Sequence, residues 1–421
     1  MKTGITPVAL GTKPGGSAYA YFKTMKLIPA LALLVFTAAA HAATPGIRRI
    51  DGTSITTADA ESLAREILAK NHVTGAQIAV LNDGRLVWSS AFGLRDREHN
   101  LPMQPSTTTW AASITKSVFA TYVMQLVEQG VLSLDKPVAE LLPQPLDHYE
   151  DYRATAAELV HDARWPTVTP RTLLSHTSGL ANFASFEPDR KMHLHFAPGS
   201  RFAYSGEGLN LLQFVIEQRL HKPLDQLMQD SLFTPLKMNR TSMIWQERFA
   251  PDVADRYDLD EKFIAHTRRD HARAAGSMTT SAEDLARFTS ALMEGRVIKS
   301  SSFQAMLTPA IRIDALHQFP TFDEAKGTEG PAVGLAYGLG WGLLTHTRFG
   351  PAFFKEGHGD GAQNYMICLT RHRDCMILLT NSDNGELAFR PLLEGILGDN
   401  VTPWTWEGYD PEGITASRKN R

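Results

Sequence analysis

The chain of 421 residues has only two cysteines and no surplus of basic residues. Its 42 Lys and Arg residues are outnumbered by 45 Asp and Glu residues, so the formal net charge is -3. Proteins that bind nucleic acid through its phosphates need a basic surface, and we therefore expect no nucleic-acid partner. With 43% hydrophobic and 21% charged residues, the composition is that of a globular protein. These properties favour a small-molecule or peptide substrate.

The apolar segment at residues 27–40 is too short for a comfortable membrane span, which needs about 20 apolar residues. It follows Met25 and leads into Ala40-His41-Ala42, an A-x-A cleavage site. We therefore expect residues 1–42 to be a leader and signal peptide that is cleaved near Ala42. The mature protein should be periplasmic or secreted, without a stable membrane span. Whether translation starts at Met1 or Met25 stays open, as does the oligomeric state.

The two cysteines, Cys368 and Cys375, flank a predicted hairpin turn at residues 370–374. In an oxidising compartment they could form a cross-strand disulfide if the strand register places them opposite each other. Two buried free thiols are the alternative, and the sequence leaves both open.

Two common hydrolase signatures are missing. The sequence has no G-x-S-x-G elbow, which argues against an α/β-hydrolase. His193-Leu194-His195 has metal-like spacing, but no further cluster of zinc ligands follows it. We therefore expect no cofactor and no metal ion.

The pattern of the remaining chain predicts an α/β (α+β) fold with an antiparallel sheet formed by both chain ends. Helical spacing favours a helix over residues 57–70. Two pairs of β-rich runs predict hairpins: residues 76–81 with 85–92, and residues 365–370 with 375–380. We expect one domain over residues 43–421, with an inserted, mostly helical region. The expected bounds are about 43–110 and 335–400 for the sheet and about 111–334 for the helices.

Residues 110–130, WAASITKSVFATYVMQLVEQG, predict the clearest helix of the chain. Ser113 and Lys116 lie three residues apart at its start, so their side chains share one face. The free N–H groups of a helix N-terminus favour a developing anion. A lysine with a lowered pKa can take the proton of a serine nucleophile. This arrangement suits acyl transfer, although the S-x-x-K spacing by itself is weak evidence.

Indeed, S-x-x-K occurs a second time, at Ser133 to Lys136. Pro137 follows directly and disfavours a helix at Lys136, so we expect an ordinary turn there. Ser382-Asp383-Asn384 spells another motif of serine acyl transferases, S-D-N, but it follows the last predicted strand, and we expect a turn there as well.

The wider context of Ser113 resembles the serine β-lactamase and penicillin-binding-protein superfamily, especially its class C-like hydrolases, esterases and D-amino-acid peptidases. The resemblance runs from about Gly75 to Gly398 and rests on motifs that occur in the superfamily's order: FGLRD at 92–96, AASITKS at 111–117, LLSHTSGL at 173–180, PGSRFAYSGEG at 198–208, LARF at 285–288, YGLGWG at 337–342 and LLTNSDNG at 378–385. So many matches in one order exclude chance.

In such proteins three motifs surround the site: S-x-x-K, then S-D-N or its tyrosine counterpart, then K-T-G. By position, Tyr204-Ser205-Gly206 is the second motif. The resemblance implies that Tyr204 lies near Ser113 and exchanges a proton with Lys116. Gly206 stands where relatives often have Asn, which puts the recognition of β-lactams or D-peptides in doubt. The resemblance also implies that His176 belongs to a structural turn rather than to the catalytic groups.

The resemblance places the third motif at His358, which replaces the motif lysine in many relatives. Asp360 then falls where a glycine is expected. Either a one-residue shift lets Gly361 take that role, which we favour, or Asp360 points into the site. The backbone N–H of Gly361 would pair with that of Ser113 as an oxyanion hole, and His358 and Gly361 would bind substrate.

The resemblance therefore implies a serine hydrolase that acts on ester or amide carbonyls through an acyl-enzyme on Ser113, activated by Lys116 and Tyr204. The substrate class stays open among esters, D-amino peptides and β-lactams. The alternative is a catalytically inactive cell-wall or ligand-binding module with the same fold.

Overall fold

The computed structural model describes residues 46–410 together with residues 20, 413 and 414. The expected cleavage site near Ala42 lies outside the described residues. None of the helices in the described part of the chain combines the length and the apolar character that crossing a membrane requires.

A nine-stranded antiparallel sheet organises the described residues. Its strands are, in chain order, β1 (Gly75–Asn82), β2 (Arg85–Asp96), β3 (Leu101–Pro102), β4 (Ile311–Arg312), β5 (Leu335–Tyr337), β6 (Gly342–Leu344), β7 (Ala352–Gly359), β8 (Ala362–Leu369) and β9 (Asp374–Thr380). In space they follow the order β4-β5-β6-β7-β8-β9-β1-β2-β3. Because β1 pairs with β9, the predicted sheet formed by both chain ends is confirmed.

Both predicted hairpins form, the first with a two-residue turn and the second with a longer one. Asp83 and Gly84 join β1 to β2 with φ values of 53° and 76°, the left-handed conformation that a two-residue hairpin turn needs. In the second hairpin, β8 pairs with β9 so that Cys368 lies directly opposite Cys375. These cysteines form a disulfide, which decides between the two alternatives that the sequence left open.

Five helices carry most of the helical packing: α1 (Thr57–Lys70), α2 (Ile114–Glu128), α3 (Gly206–Leu220), α4 (Ala282–Met293) and α5 (Glu386–Leu392). Helix α1 has the predicted bounds, and the Thr56 side chain caps it by accepting the N–H of Asp59 at 3.0 Å. Between β3 and β4, most of the secondary-structure elements are helices.

Shorter elements complete the chain. The short helices are Val138–Leu141, Leu146–His148, Glu150–Arg153, Ala157–His161, Trp165–Thr167, Pro170–Leu174, Ala184–Phe186, Leu224–Met228, Gln229–Phe233, Glu247–Phe249, Ser300–Met306, Glu329–Val333, Leu393–Leu397 and Trp404–Glu407. The short strand pairs are Gly46–Arg48 with Ser54–Thr56, Thr109–Trp110 with Thr279–Thr280, and Arg256–Tyr257 with Phe263–Ala265.

Apolar side chains cover both faces of the sheet. Along β9, Ile377 and Leu379 belong to the apolar cluster that contains α2, whereas Met376 and Leu378 belong to the cluster that contains α1 and α5. This alternation follows from the two-residue period of a strand. Helix α2 is buried along nearly its whole length, which holds its N-terminus, where Ser113 lies, in a fixed position.

Candidate active site

Ser113 lies directly before α2, and its hydroxyl does not cap that helix. The preceding residue, Ala112, has a φ of 46°, a left-handed conformation that costs a non-glycine residue about 1–3 kcal/mol. Within the described part of the chain, the N–H of Ser113 donates to no other group. The Ser113 hydroxyl makes a long hydrogen bond of 3.4 Å to the carbonyl oxygen of Ala275, so within the described residues its N–H is the group of this residue that stays free.

Lys116 is 1% exposed, and its Nζ lies 2.8 Å from Ser113 Oγ. The same nitrogen donates to the carbonyl oxygen of Ala275 at 2.5 Å. Burial, together with the positive charge of Lys355, holds the pKa of Lys116 well below its usual range. In its neutral form, which this shift favours, Lys116 can donate one N–H to Ala275 and keep its lone pair for the serine proton. The solvated lysine of an ordinary helix start would show none of this.

Tyr204 precedes α3 and is buried beside Lys116, whose Nζ lies 5.0 Å from the centroid of the Tyr204 ring. Its hydroxyl accepts a hydrogen bond of 3.1 Å from Lys355 Nζ, and the Ser113 side chain is among the groups that act to lower its pKa. Burial raises the pKa of Tyr204 to about 12. The phenol therefore keeps its proton at neutral pH and can relay one. The structure brings together Ser113, Lys116 and Tyr204, as the sequence predicted.

Lys355 is the residue of this group that sequence reasoning missed. It is fully buried, and its Nζ lies 2.6 Å from Glu356 Oε1 and 3.1 Å from the Tyr204 hydroxyl. Burial opposes both charges, but Lys355 lowers the pKa of Glu356 to about 2, and Glu356 raises the pKa of Lys355. The two side chains form a charged pair inside the site. The signal was present in the sequence, because Lys355-Glu356-Gly357 spells K-x-G.

Strand β7 passes the start of α2 at Gly357. A Cβ on Gly357 would lie 2.4 Å from the carbonyl oxygen of Ala111 and 3.3 Å from the backbone nitrogen of Ile114. Only glycine permits this approach without a displacement of the strand. This contact, and not one at Gly361, gives the third motif its place beside Ser113.

The strand register directs the N–H of His358 away from β8. Gly359 and Ala362 form the pair that closes the hairpin, and the adjacent pair is His358 with Gln363. The N–H of Gln363 donates to Thr380 Oγ1 on the far strand, β9, at 3.3 Å. Because backbone groups alternate in direction along an antiparallel ladder, the N–H of His358 points to the open side of β7, the side of Ser113.

The expected role of Gly361 is therefore corrected. Its N–H donates to Asp383 Oδ1 at 2.8 Å, and its φ of 70° places it in the β7–β8 turn. That N–H is not available to an oxyanion. No one-residue shift occurs at this point, and Asp360 lies exposed at the tip of the turn instead of pointing into the site. Neither alternative for the third motif fits these contacts, and the segment that meets the start of α2 is Lys355-Glu356-Gly357, three residues earlier.

The side chain of His358 lies in the wall of the cavity described below, but its ring nitrogens are already bonded. Nδ1 lies 2.8 Å from both Gln363 Oε1 and Glu386 Oε1, and Nε2 contacts the Tyr409 hydroxyl. We expected His358 to stand where relatives have the lysine of the third motif, but the side chain beside Tyr204 is that of Lys355. We expect the His358 side chain to hold the cavity wall.

The space beside Gly206 is filled by two neighbouring side chains. A Cβ there would lie 2.7 Å from the Phe183 ring and 3.1 Å from Asn182 Oδ1, and that oxygen accepts the N–H of Gly206 at 2.9 Å. Asn182 also lines the cavity. An amide is thus present next to the position where relatives often have Asn, but it comes from a different part of the chain.

His176 is fully buried behind Tyr204, with ring centroids 4.4 Å apart. Its Nδ1 accepts the N–H of Ser205 at 3.1 Å. Burial and the charges of Lys116 and Lys355 hold the pKa of His176 well below its usual range, so the imidazole is neutral. It supports Tyr204 from behind and does not reach Ser113.

Ser113 opens into a cavity of about 1440 Å³. Its walls include Trp110 and Tyr204, the segment 268–273, Phe319, and the C-terminal segment 405–410. The segment 268–273 follows the strand Phe263–Ala265 and has no helix or strand of its own. It rims the site, as long loops in enzymes often do.

Comparison with known proteins agrees with this geometry. A family model described as Beta-lactamase matches residues 60–397. The chain belongs to the beta-lactamase family. The predicted recognition is thereby confirmed, and with it the predicted enzyme class, a serine hydrolase of the β-lactamase-related type.

Curated relatives have several activities in their names. The D-alanyl-D-alanine-carboxypeptidase/endopeptidase AmpH of Escherichia coli (strain K12) is 26% identical over 367 residues, which are 84% of this chain and 90% of AmpH. Esterase EstB of Burkholderia gladioli is 31% identical over 232 residues, but the match spans only 47% of this chain and 56% of the esterase.

Solved structures confirm the fold. The octameric penicillin-binding protein homologue from Pyrococcus abyssi superimposes with a TM-score of 0.66 at 24% identity and covers 86% of this chain and 81% of its own. A D-stereospecific amidohydrolase from Streptomyces sp. superimposes with a TM-score of 0.61 at 22% identity. The superposition covers 80% of this chain and 97% of the amidohydrolase.

Proposed function

We propose that Ser113 attacks an ester or amide carbonyl and carries the acyl group, and that Lys116 and Tyr204 move the proton. The observation that carries this proposal is the 2.8 Å distance between Lys116 Nζ and Ser113 Oγ at the wall of a large cavity. Membership in a family whose members bear the names of esterases, carboxypeptidases and amidohydrolases supports it.

In the acylation step, neutral Lys116 accepts the proton of Ser113 as Oγ bonds to the carbonyl carbon. The resulting ammonium group returns a proton to the leaving oxygen or nitrogen, through the Tyr204 hydroxyl, as the bond to the leaving group breaks. The fixed positive charge of Lys355 beside Tyr204 makes a transient phenolate less costly. Lysine is suited to this role because burial has already lowered its pKa.

The tetrahedral intermediate needs donors for its oxyanion. We assign these to the N–H groups of Ser113 and His358, which face each other across the contact between β7 and the start of α2. Removing one such donor typically costs a factor of about 10²–10³ in rate. In deacylation, water attacks the ester of Ser113, its proton passes to Lys116, and the serine oxygen regains a proton as the carboxylic acid leaves.

For the substrate, the charged pair of the third motif favours carboxylic esters or amides without a terminal carboxylate on the leaving group. Glu356 stands in place of the threonine of K-T-G, and its carboxylate already accepts a hydrogen bond from Lys355 at 2.6 Å, so Lys355 is less available to a substrate carboxylate. We expect the turnover of a short-chain nitrophenyl ester to exceed that of a D-Ala-D-Ala peptide and of a chromogenic β-lactam.

Mass spectrometry after reaction with an active-site acylating probe tests the proposal. We expect one adduct on the peptide that contains Ser113, no adduct in Ser113→Ala, and loss of activity in that variant. Equal labelling of Ser113→Ala, or an unlabelled wild type, would contradict the acyl-enzyme.

The same samples separate the enzyme from a non-catalytic binding module. A module would bind its ligand equally well in wild type and in Ser113→Ala and would turn over none of the three substrates. The enzyme instead loses turnover in Ser113→Ala while the melting temperature stays close to that of the wild type.

We also propose that the protein is exported. The disulfide between Cys368 and Cys375 supports an oxidising compartment, where such bonds persist, and the leader at residues 1–42 has the sequence of a signal peptide. Edman sequencing of the protein from a periplasmic fraction should begin near Ala43. Recovery of the uncleaved chain from the cytoplasm, with both thiols reduced, would contradict export.

A further inference from the structure

A group of arginines lies on Trp110, at one end of the cavity. The guanidinium carbon of Arg269 is 3.9 Å from the ring centroid of Trp110, and that of Arg256 is 5.0 Å from it. The indole N–H donates to the carbonyl oxygen of Gly276 at 2.6 Å, so the ring is held in place. Arginines stacked in this way keep the N–H edge of the guanidinium free for a ligand.

Acidic residues lie in the surroundings of these arginines, since Asp270 lines the same cavity and the charge of Arg273 acts on the pKa of Glu207. Arg269 and Arg273 line the cavity, and Arg256 lies behind Trp110. Within the described residues, none of the three forms an ion pair, and the Arg256 side chain donates only to the backbone oxygen of Asp360, at 2.7 Å. Burial and the charges of Arg256 and Arg273 lower the pKa of Arg269 to about 10. Asp360 acts in the opposite direction but does not pair with Arg269.

The positions of the leaving group and the acyl group around Ser113 decide which part of the substrate reaches these arginines. Proton transfer through Lys116 and Tyr204 serves the leaving group, which therefore lies on the Tyr204 side of Ser113. The acyl group extends in the other direction along β7, past His358 to Gly359. Trp110 packs directly on that glycine, since a Cβ there would lie 2.1 Å from the indole ring.

The acidic side chains of the cavity wall are largely compensated. Glu356 and Glu386 each have a basic partner, at 2.6 Å and 2.8 Å. Burial and the charge of Glu356 raise the pKa of Glu407 well above its usual range, which favours its neutral form. Arg269, which forms no ion pair with a described residue, is therefore available to a substrate anion.

We propose that the enzyme prefers substrates whose acyl group carries a carboxylate, bound by Arg269 and Arg273 on the Trp110 side of the cavity. This inference rests on the acyl-enzyme at Ser113 and adds the substrate class: half-esters or half-amides of dicarboxylic acids. It differs from recognition through the third motif, because the arginines lie on the acyl side and the Lys355–Glu356 pair on the side of Tyr204.

A matched pair of esters tests it. Mono-4-nitrophenyl adipate carries the carboxylate, and its methyl ester is neutral and similar in length. We expect wild type to show a kcat/KM at least about tenfold higher for the anionic ester, the size of one charge-assisted hydrogen bond. The preference should shrink as ionic strength rises, because the rim of the cavity is open to solvent. Rates with Ser113→Ala supply the uncatalysed background.

Arg269→Gln should lower kcat/KM for the anionic ester by about 10- to 100-fold and leave the neutral ester within about threefold of wild type. Arg269→Lys keeps the charge and should retain part of the preference. Arg348→Gln is the matched control. The guanidinium carbon of Arg348 lies 4.8 Å from the ring centroid of Phe349, and neither residue lines the cavity. This variant should leave kcat/KM unchanged for both esters.

Two results would overturn the inference: equal kcat/KM for the two esters in wild type, or an equal loss for both in Arg269→Gln with an unchanged melting temperature. In either case, Ser113-dependent hydrolysis of the neutral ester would leave the proposed function intact. Absence of hydrolysis of both esters, together with absence of probe labelling at Ser113, would instead remove the proposed function, and this inference with it.

Discussion

The ammonium group of Lys355 lies 3.1 Å from the hydroxyl oxygen of Tyr204. This contact links the third motif to the second and places a fixed positive charge behind the proton relay. The charge acts on Lys116 as well, since it contributes to the lowered pKa of that lysine. Lys355 is therefore a positioning residue whose effect should appear both in the rate and in its pH dependence.

Removing the Lys355–Glu356 pair should slow the reaction more than it destabilises the fold. Lys355→Met alone would leave the buried Glu356 without its charged partner, at a cost of about 3–5 kcal/mol, so we combine it with Glu356→Gln. For the double variant we expect kcat/KM to fall by about 10²-fold, the lower end for loss of assistance in proton transfer, with a melting temperature near that of wild type.

A control for this variant is available on the surface. Lys326→Met with Asp314→Asn removes an exposed ion pair of 2.6 Å and should change neither activity nor stability, because such pairs contribute little. A fully active, folded Lys355→Met, Glu356→Gln protein would show that the pair does not assist Tyr204.

The pH profile of kcat/KM should report Lys116. The group must be neutral to accept the serine proton, and its pKa lies well below the usual value because of burial and Lys355. Activity should therefore rise with pH through this lowered pKa and be lost below it, as Lys116 becomes protonated. Tyr204, with a pKa of about 12, stays protonated over the working range.

The double variant at Lys355 and Glu356 gives the sign of the effect. Lys355 lowers the pKa of Lys116 more than Glu356 raises it, so removal of both should move the acid limb to higher pH. The measurement is a kcat/KM profile with a neutral ester from pH 5 upward. An acid limb that stays in place, or that moves to lower pH, would contradict Lys116 as the base.

The sheet and the nucleophile were predictable from the sequence because their signals are local. Apolar, β-rich runs on either side of Asp83-Gly84 predict a hairpin, and helical spacing after Ser113 predicts α2; the structure contains both. The S-x-x-K copy at Ser133 fails the same local criterion, and the structure has no long helix there.

The third motif could not be placed in the same way, because its position depends on packing. K-x-G at Lys355 and the glycine-rich segment after His358 fit the expected pattern equally well by sequence. Only the contact of Gly357 with the carbonyl oxygen of Ala111 shows which glycine meets α2. The arginines on Trp110 were hidden for the same reason, since segments far apart in the chain bring Arg256 and Arg269 to one ring.

The disulfide should add modest stability and leave catalysis unchanged. Cys368 and Cys375 are separated by seven positions, and a loop of 15 residues contributes about 3 kcal/mol in the chain-entropy model, with shorter loops contributing less. We expect the variant Cys368→Ala with Cys375→Ala to melt a few degrees lower than wild type, at unchanged kcat/KM. Reductant should lower the melting temperature of wild type only. Two thiols titrating in the unreduced, unfolded protein would contradict the disulfide.

Gly357→Ala tests the place of the third motif, because an added methyl group would overlap the carbonyl oxygen of Ala111 at 2.4 Å. That oxygen and the nitrogen of Ile114 at 3.3 Å are backbone atoms, so β7 must move away from the start of α2 and carry the N–H of His358 out of the proposed oxyanion hole. We expect kcat to fall by about 10²–10³, the effect of losing one oxyanion donor, with a smaller change in KM. Gly361 sets the competing assignment: if its N–H were the donor, Gly357→Ala would affect stability without this selective loss of kcat. A folded Gly357→Ala protein with wild-type kcat would therefore return the third motif to the turn between β7 and β8.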